Sequence, residues 1–583
     1  MYLEIFDFDF EDSEMFISEK QNDYDFFSND DVDIFVYGYP FLALDSEWVK
    51  SEDIYGWYIN DKTNELQFVN DLEGVYSIII LDRELDVCYI ITDRYGVYTL
   101  FYYRKNGSFI ISDKIDSILK FMRRIEIDKK SILEYLTFGY MNRIGNKTHI
   151  KGINEFEGAN IYTINNGNIS YENYWKYPNL NMEVSNVSFL KEFNSHIQTG
   201  FNLEKEKILT FTGGLDTRTI LSSIIDKADD LHCYTYGVKK SGDIKIAEKI
   251  TKQFNIKQDS MILDKDFIMD IPEKIKNNIN MFNGLTPMAF QLHWYEFCER
   301  NKDNGKLLFL GISGDEFWRC HHADADKIKN CLNINDVISF ILGDYMIQKN
   351  KTLNVFKGLE EDDIKNILRS SIKNVFGSWM DDYFSSFDPS MVVDFFNLKY
   401  HYANWVSNLV KFYGRYFKIF LGLVNKNLLS SLRYFDLNDR VSGSLQKYII
   451  EKNSPELAKI PYCHYRFNEH KSVKMFIKKI IYNVKFLANR VFHRLFNFNL
   501  FKYFPDLPHY YWVWLPKYHK QFVLDTLDYD NMITKSLFNK EELQKIVKLF
   551  LKSDYSTKAF VISLISLEIY LKNINKGYKL IIN

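Results

Sequence analysis

From Phe68 onward the chain alternates apolar and polar positions in short runs. Val75–Leu81, Val87–Thr92, Thr99–Tyr103 and Phe109–Ser112 are rich in β-branched and aromatic residues, and Asp71–Gly74, Arg94–Gly96 and Lys105–Gly107 close them as turns. This spacing predicts successive strands. Helical periodicity follows at Asp113–Arg123 and Lys129–Gly139, and strands return over Ile161–Ile169. The polar, turn-forming stretch Pro178–Asn186 marks a domain boundary. Beyond it, strand and helix alternate: Ile208–Phe211, then Thr217–Asp226; His232–Tyr236, then Lys245–Phe254; then a buried strand at Leu307–Leu310. Such alternation predicts a parallel sheet covered by helices on both faces. From about Lys327 to the end, long helical patterns dominate, and no internal repeat is evident.

Composition narrows the class. Lys+Arg 73 against Asp+Glu 77 leaves a net charge of −4, which argues against a basic coat for nucleic acid. Six scattered Cys, without a CxxC pair, suit a reducing cytoplasm. The acidic N-terminal run lacks the basic start and apolar core of a signal peptide, and the apolar stretch Ala559–Leu571 is too short to span a membrane. The expectation is a soluble cytoplasmic protein.

The sharpest local signal is the strand-to-helix passage Ile208–Leu221, in which Phe211-Thr212-Gly213-Gly214-Leu215-Asp216-Thr217 leads into the helix. Adjacent glycines admit a bulky anion, threonine hydroxyls add donors, and a helix start supplies unpaired N–H groups, so the passage is a candidate phosphate cradle. Asp216 makes sense beside phosphates only if Mg²⁺ lies between them. A bare Gly-Gly turn capped by Thr is the plain alternative. No GxxxxGK[ST] occurs, so a Walker-type NTPase is not supported.

The passage resembles the pyrophosphate loop Ser-Gly-Gly-x-Asp-Ser of the asparagine synthetase family, with Thr212 and Thr217 in the serine positions. Tyr234–Val238 with Ser241–Ala247 is similar to that family's adenine-side strand and helix, and Leu307–Glu316 to its strand and Gly-rich acidic loop. Leu72–Ile78, Thr92–Tyr103, Ile111–Asp113, Lys147–Ile153 and Tyr174-Trp175 resemble its class II glutamine amidotransferase domain, in the family's order. The resemblance implies an α/β chain of two parts. Residues 1–178 would form an α+β (αββα sandwich) amidotransferase-like domain of the Ntn type. Residues 190–583 would form a doubly wound parallel-sheet PP-loop synthetase domain, with its nucleotide core at about 205–325 and a helical remainder. It further implies ATP and Mg²⁺ as cofactors and Asp216, Asp315 and Glu316 as catalytic residues. Asp216 and Asp315 would hold the metal, and Phe211, Thr212, Gly213, Gly214, Leu215, Thr217, Tyr236, Leu310 and Gly311 would bind ATP.

Four departures bear on activity. Glutamine-hydrolysing members begin with a nucleophilic Cys after Met removal, whereas position 2 here is Tyr2, and Cys88, in a strand-like run, reads as core. Glu73-Gly74 replaces the family's Asp-Gly, so the amidotransferase part is expected to be a scaffold without glutaminase activity. Asparagine synthetases carry Glu where Ile312 stands, and their Thr-x-Arg-Ala substrate stretch aligns with Phe282–Pro287, which has no Arg. The expected activity is that of an asparagine synthase (glutamine-hydrolysing)-like ligase. It would adenylate a small-molecule or sugar carboxylate and pass it to ammonia or an amine. A non-catalytic ATP-binding scaffold and a conventional asparagine synthase are the competing readings.

Other residues read more plainly. His321-His322-Ala-Asp324-Ala-Asp326 has no recognised ligand spacing and reads as a polar loop, and Cys463-His464 as sequence neighbours that point apart. Residues 471–502 alternate cations with apolar residues at helical spacing, and either pack on the synthetase body or lie on a membrane surface. Arg466 and Lys471 are both candidates for the late basic residue that steadies an acyl-adenylate in the family.

Overall fold

The computed structural model describes residues 24–61, 66–105, 107–138, 145–177, 184–239, 241–288, 291–302, 306–320, 324–345, 353–383, 388–462, 480, 484, 488 and 510–582. Tyr2, His321, His322, Cys463, His464, Arg466 and Lys471 lie outside them, as does all but three residues of 471–502.

The chain is mixed α/β, antiparallel first and parallel later. Tyr24–Ser28, Val32–Leu42, Leu72–Asp82, Val87–Thr92, Asn160–Asn165 and Asn168–Asn173 pair antiparallel in that spatial order, and Glu47–Trp48 adds to Val32–Leu42. Alternate residues serve two cores. Phe35, Ile79, Leu81 and Ile90 join the main core, whereas Ile34, Ile78, Ile80 and Ile91 join a second core with Ile54 and Tyr58 of helix Ser51–Asp61. Burial on both faces explains why Val75–Leu81 reads as a nearly continuous apolar run rather than a clean alternation. Cys88 is buried here, and burial pushes its thiol pKa far up, as expected of a core residue. A second antiparallel sheet orders Ser108–Ser112, Phe101–Lys105 and Ile153–Glu155. One expectation shifts, since the helix at Asp113–Arg123 shrinks to Ile115–Leu119; the strands expected over Ile161–Ile169 form a hairpin turning at Asn166-Gly167, both at positive φ.

The later sheet is parallel, in the order Lys257–Ile262, Leu231–Gly237, Lys207–Thr210, Leu307–Leu310, Lys418–Leu421. The chain starts in the middle, builds outward to one edge, and returns to build the other side. The switch point therefore falls between Lys207–Thr210 and Leu307–Leu310, where ligands bind in doubly wound sheets. Helical patterning does not hold throughout the C-terminal half, because Lys418–Leu421 contributes a strand. Helix Lys558–Gly577 is buried from Ala559 to Leu571, and Leu580–Ile581 pairs with Ile125–Glu126 of the N-terminal part. Among the described residues, no helix is long and apolar enough to cross a membrane.

Buried polar contacts join the two halves. Lys411 Nζ donates to Glu155 Oε1 at 3.1 Å and to Thr99 Oγ1 at 3.3 Å, and the Tyr39 hydroxyl donates to the Gly414 carbonyl. His196, on helix Asn186–Asn202, stacks on Phe420 with ring centroids 4.6 Å apart, and its Nε2 lies 3.0 Å from the Leu421 carbonyl. Burial lowers its pKa below the usual 6.5. The unfolded chain then takes up this proton at a higher pH than the folded one, so the stabilisation is present above about pH 6.5 and lost on acidification. Urea midpoints should accordingly fall between about pH 7.5 and about pH 5.5, and fall less in His196→Gln, whose side chain does not protonate. An identical drop in the variant would exclude His196 as a source.

Candidate active site

The strand Lys207–Thr210 is prolonged by the Phe211 N–H, which donates to the Tyr234 carbonyl at 2.8 Å. The chain then turns through Gly213 at φ 67°, where a Cβ would sit 2.6 Å from Ile246 Cγ2. Gly214 is the N-cap of helix Leu215–Ser222 and brings no side-chain acceptor to its first N–H groups. Arg218 fixes the loop from below: Nη2 donates to the Gly213 carbonyl at 2.8 Å and to the Pro461 carbonyl at 3.0 Å, with its guanidinium 4.0 Å over the Tyr462 ring.

The neighbouring loop follows Leu307–Leu310. Gly311 passes so close to the helix start that a Cβ would lie 2.7 Å from Thr217 Cγ2, and one on Gly314 would lie 2.0 Å from Asp216 Oδ1. Ser313, at φ 98°, donates its N–H to Glu316 Oε2 at 2.9 Å and its hydroxyl to the Tyr402 hydroxyl at 2.9 Å. From behind, Asn397 Nδ2 reaches the Glu316 carbonyl at 3.0 Å and Arg440 Nη2 the Phe317 carbonyl at 2.6 Å.

These two loops line a cavity of about 330 Å³, walled by Tyr236, Trp294, Phe297 and Tyr413. Tyr236 stacks on His293 at 4.2 Å. Phe211, Thr212, Gly214, Leu215, Asp216, Thr217, Tyr236, Leu310, Gly311 and Asp315 all line it, and Gly213 shapes its loop. Glu316 is not among the lining residues. It is buried, and its carboxylate caps its own turn. Ile312 is on the wall, whereas Phe282–Pro287 is not. Gly284 there faces Tyr570, and Asn283 Oδ1 accepts the Ile115 N–H at 3.0 Å.

Two residues that the sequence did not single out complete the site. Arg319 Nη2 donates to Asp216 Oδ2 at 2.9 Å and Nε to Asp315 Oδ1 at 3.1 Å, while Gln446 Nε2 donates to Asp216 Oδ1 at 2.6 Å. Burial alone would lower the Arg319 pKa, but Asp216 and Asp315 beside it reverse the effect and hold it above its usual value. Arg319 stands four residues after Asp315, a spacing readable in the sequence, whereas Gln446 carries no local signal.

Whether the expected cofactors suit these residues is decided by their bonding. The Thr217 hydroxyl is buried without a hydrogen-bond partner and belongs to the cavity wall, so a polyphosphate fits there: it would meet this donor together with the open helix start. Asp216 and Asp315 are suitable Mg²⁺ ligands by type, but both Asp216 oxygens already accept from Arg319 or Gln446, and Asp315 Oδ1 accepts from Arg319. A resident metal on that pair does not fit the arrangement.

Thr217→Val tests the phosphate side. It should weaken nucleotide binding by about tenfold, the worth of one hydrogen bond to a charged acceptor, and leave the melting temperature equal or higher because an unpaired hydroxyl is removed. Unchanged affinity by calorimetry would remove Thr217 from the site.

In the N-terminal part the motif residues interlock. Asp93 accepts N–H bonds from Tyr95 at 2.9 Å and Tyr98 at 2.7 Å, and Arg94 lies 3.7 Å from Glu73, which also accepts the Tyr95 hydroxyl at 3.1 Å. Gly74, at φ 100°, passes so near the Tyr39 carbonyl that a Cβ would lie 2.2 Å from it.

Two family models match separate stretches of the chain. Residues 62–175 match the family model for a glutamine amidotransferase domain and residues 208–374 that for asparagine synthase. The chain is 20% identical over 211 residues to asparagine synthetase [glutamine-hydrolyzing] 1 of Bacillus subtilis, covering 35% of this chain and 33% of that protein. It is 22% identical over 276 residues to asparagine synthetase [glutamine-hydrolyzing] 3 of the same organism, covering 43% and 44%. A putative asparagine synthetase [glutamine-hydrolyzing] 1 of Methanocaldococcus jannaschii is 23% identical over 266 residues, covering 44% and 46%. The matched region thus spans between a third and a half of these curated relatives. An amidotransferase match followed by a synthase match, with relatives that are asparagine synthetases at low identity, supports an asparagine synthetase-like family member.

Proposed function

We propose that the protein is an ATP-dependent carbon–nitrogen ligase, which adenylates a small-molecule or sugar carboxylate, releases pyrophosphate, and lets ammonia or an amine displace AMP. The observation that carries this reading is the unpartnered Thr217 hydroxyl beside the open start of helix Leu215–Ser222, at the switch point of a parallel sheet. Donors fixed in place before the substrate arrives stabilise charge as it develops on the phosphates without reorganisation. Phe211, Leu310 and the aromatic wall around Tyr236 would hold the nucleotide's apolar part and exclude water. Ile312 accepts no proton, so the nitrogen nucleophile would enter as free base or release its proton to solvent.

The amidotransferase-like part serves in this reading as a scaffold. Glu73 supports that role, being buried and engaged by Arg94 and Tyr95. The five described cysteines are free and buried, which suits a reducing cytoplasm.

Ile312 also favours a second reading, nucleotide binding without turnover. Pyrophosphate release with a panel of carboxylates separates the two. The ligase requires release that depends on both a carboxylate and an ammonium or amine donor. ATP bound with no release by any carboxylate would leave the second reading. Glutamate formed from glutamine in step with ATP use would overturn the scaffold role.

A further inference from the structure

The carboxylate pair reaches the cavity from the ends of two different strands, yet the space between is filled by a cation of the chain itself. The Arg319 side chain is 2% exposed, against 21% for Asp216 and 45% for Asp315. Its Nη2 and Nη1 take both oxygens of Asp216, and its Nε and Nη2 take Oδ1 of Asp315. Gln446 fastens the same knot, donating to Asp216 Oδ1 and accepting from Arg319 Nη1. The turn that carries Arg319 is anchored as well: Trp318 Nε1 donates to the Leu423 carbonyl at 2.8 Å, and Arg440 holds the Phe317 carbonyl.

Mg²⁺ needs carboxylate oxygens at about 2.0–2.1 Å in near-octahedral array. A guanidinium does not shed its proton to make way, and its planar fork matches carboxylates in a geometry a metal cannot share. An ion arriving at these oxygens would have to break several charge-assisted bonds and then stay beside the displaced positive charge.

We propose that Arg319 is the resident cation of this site, bridging Asp216 and Asp315 in place of a protein-bound divalent ion. Any metal then enters on the phosphates of the nucleotide rather than through the two aspartates. This last consequence rests on the ligase reading; the occupation of the carboxylate pair does not.

Manganese binding to the full-length, nucleotide-free protein tests it, read from the loss of the free Mn²⁺ signal in electron paramagnetic resonance. The wild type should take up no ion at the pair. Arg319→Ala should gain one site, tighter by about tenfold or more than any in the wild type, and Arg319→Ala/Asp216→Asn should lose it again. Arg319→Gln, which keeps most of the volume, serves if the alanine variant fails to fold, with near-ultraviolet circular dichroism as the check. A wild-type site abolished by Asp216→Asn would overturn the proposal, and so would the absence of any gain in both Arg319 variants. Failure to bind nucleotide would sink the ligase reading without altering the manganese result.

Discussion

Asp216→Asn is expected to cut pyrophosphate release by about 100-fold or more while leaving the protein folded, the scale seen when one preorganised electrostatic group is removed from a reacting centre. Asp216 occupies the first turn of helix Leu215–Ser222, with its side chain 21% exposed, so the substitution removes a charge from a cavity wall and no core volume. Its two oxygens aim the Arg319 guanidinium, and an amide accepts at only one. Arg319 keeps its bonds to Asp315, so the stability loss should stay within about 1–3 kcal/mol, the cost of weakening a hydrogen bond to a charged group. The check is a continuous pyrophosphate assay alongside a denaturation curve. Normal turnover in the variant would remove Asp216 from the chemistry. A collapse of the denaturation midpoint would show instead that the carboxylate is structural.

The part of the site carried by local sequence was legible. Gly213 was readable because its positive φ and the approach of Ile246 leave room for nothing larger, and Asp216 and Asp315 because each follows a short apolar strand into a loop. The parallel sheet was legible where its strands are buried runs, as in Leu307–Leu310, and illegible at its edges. Lys257–Ile262 is a polar edge strand with a single buried residue, and Lys418–Leu421 is four residues set among helical patterns. Gln446 could not be found from the sequence, because its meaning comes from a partner 230 positions away that packing alone brings near. Arg319 went unread although its spacing suits pairing with Asp315, and its simultaneous reach to Asp216 depends on the two loops being adjacent at the switch point. Helix Asp113–Arg123 was overestimated because tertiary contacts decide its length: the Asn283 side chain caps the Ile115 N–H and holds the Asp113 carbonyl.

The largest stability effect is expected away from the cavity, at Asp394. Arg440 Nη1 and Nη2 donate to its two oxygens at 2.8 Å each, and both side chains are 1% exposed. Asp394→Asn leaves the guanidinium buried with its charge uncompensated, which should cost about 3–5 kcal/mol. The same Arg440 holds the Phe317 carbonyl at 2.6 Å, in the turn that presents Asp315 and Arg319, so pyrophosphate release should fall with stability. The double variant Asp394→Leu/Arg440→Leu separates the two effects. Replacing both partners with apolar side chains removes the unpaired charge and should restore most of the stability. It does not restore the bond to Phe317, so turnover should stay low while the denaturation midpoint recovers. A double variant with full activity would mean that Arg440 matters to the loop only through stability. An unchanged midpoint in Asp394→Asn would mean that the buried pair is not what holds this turn against the core.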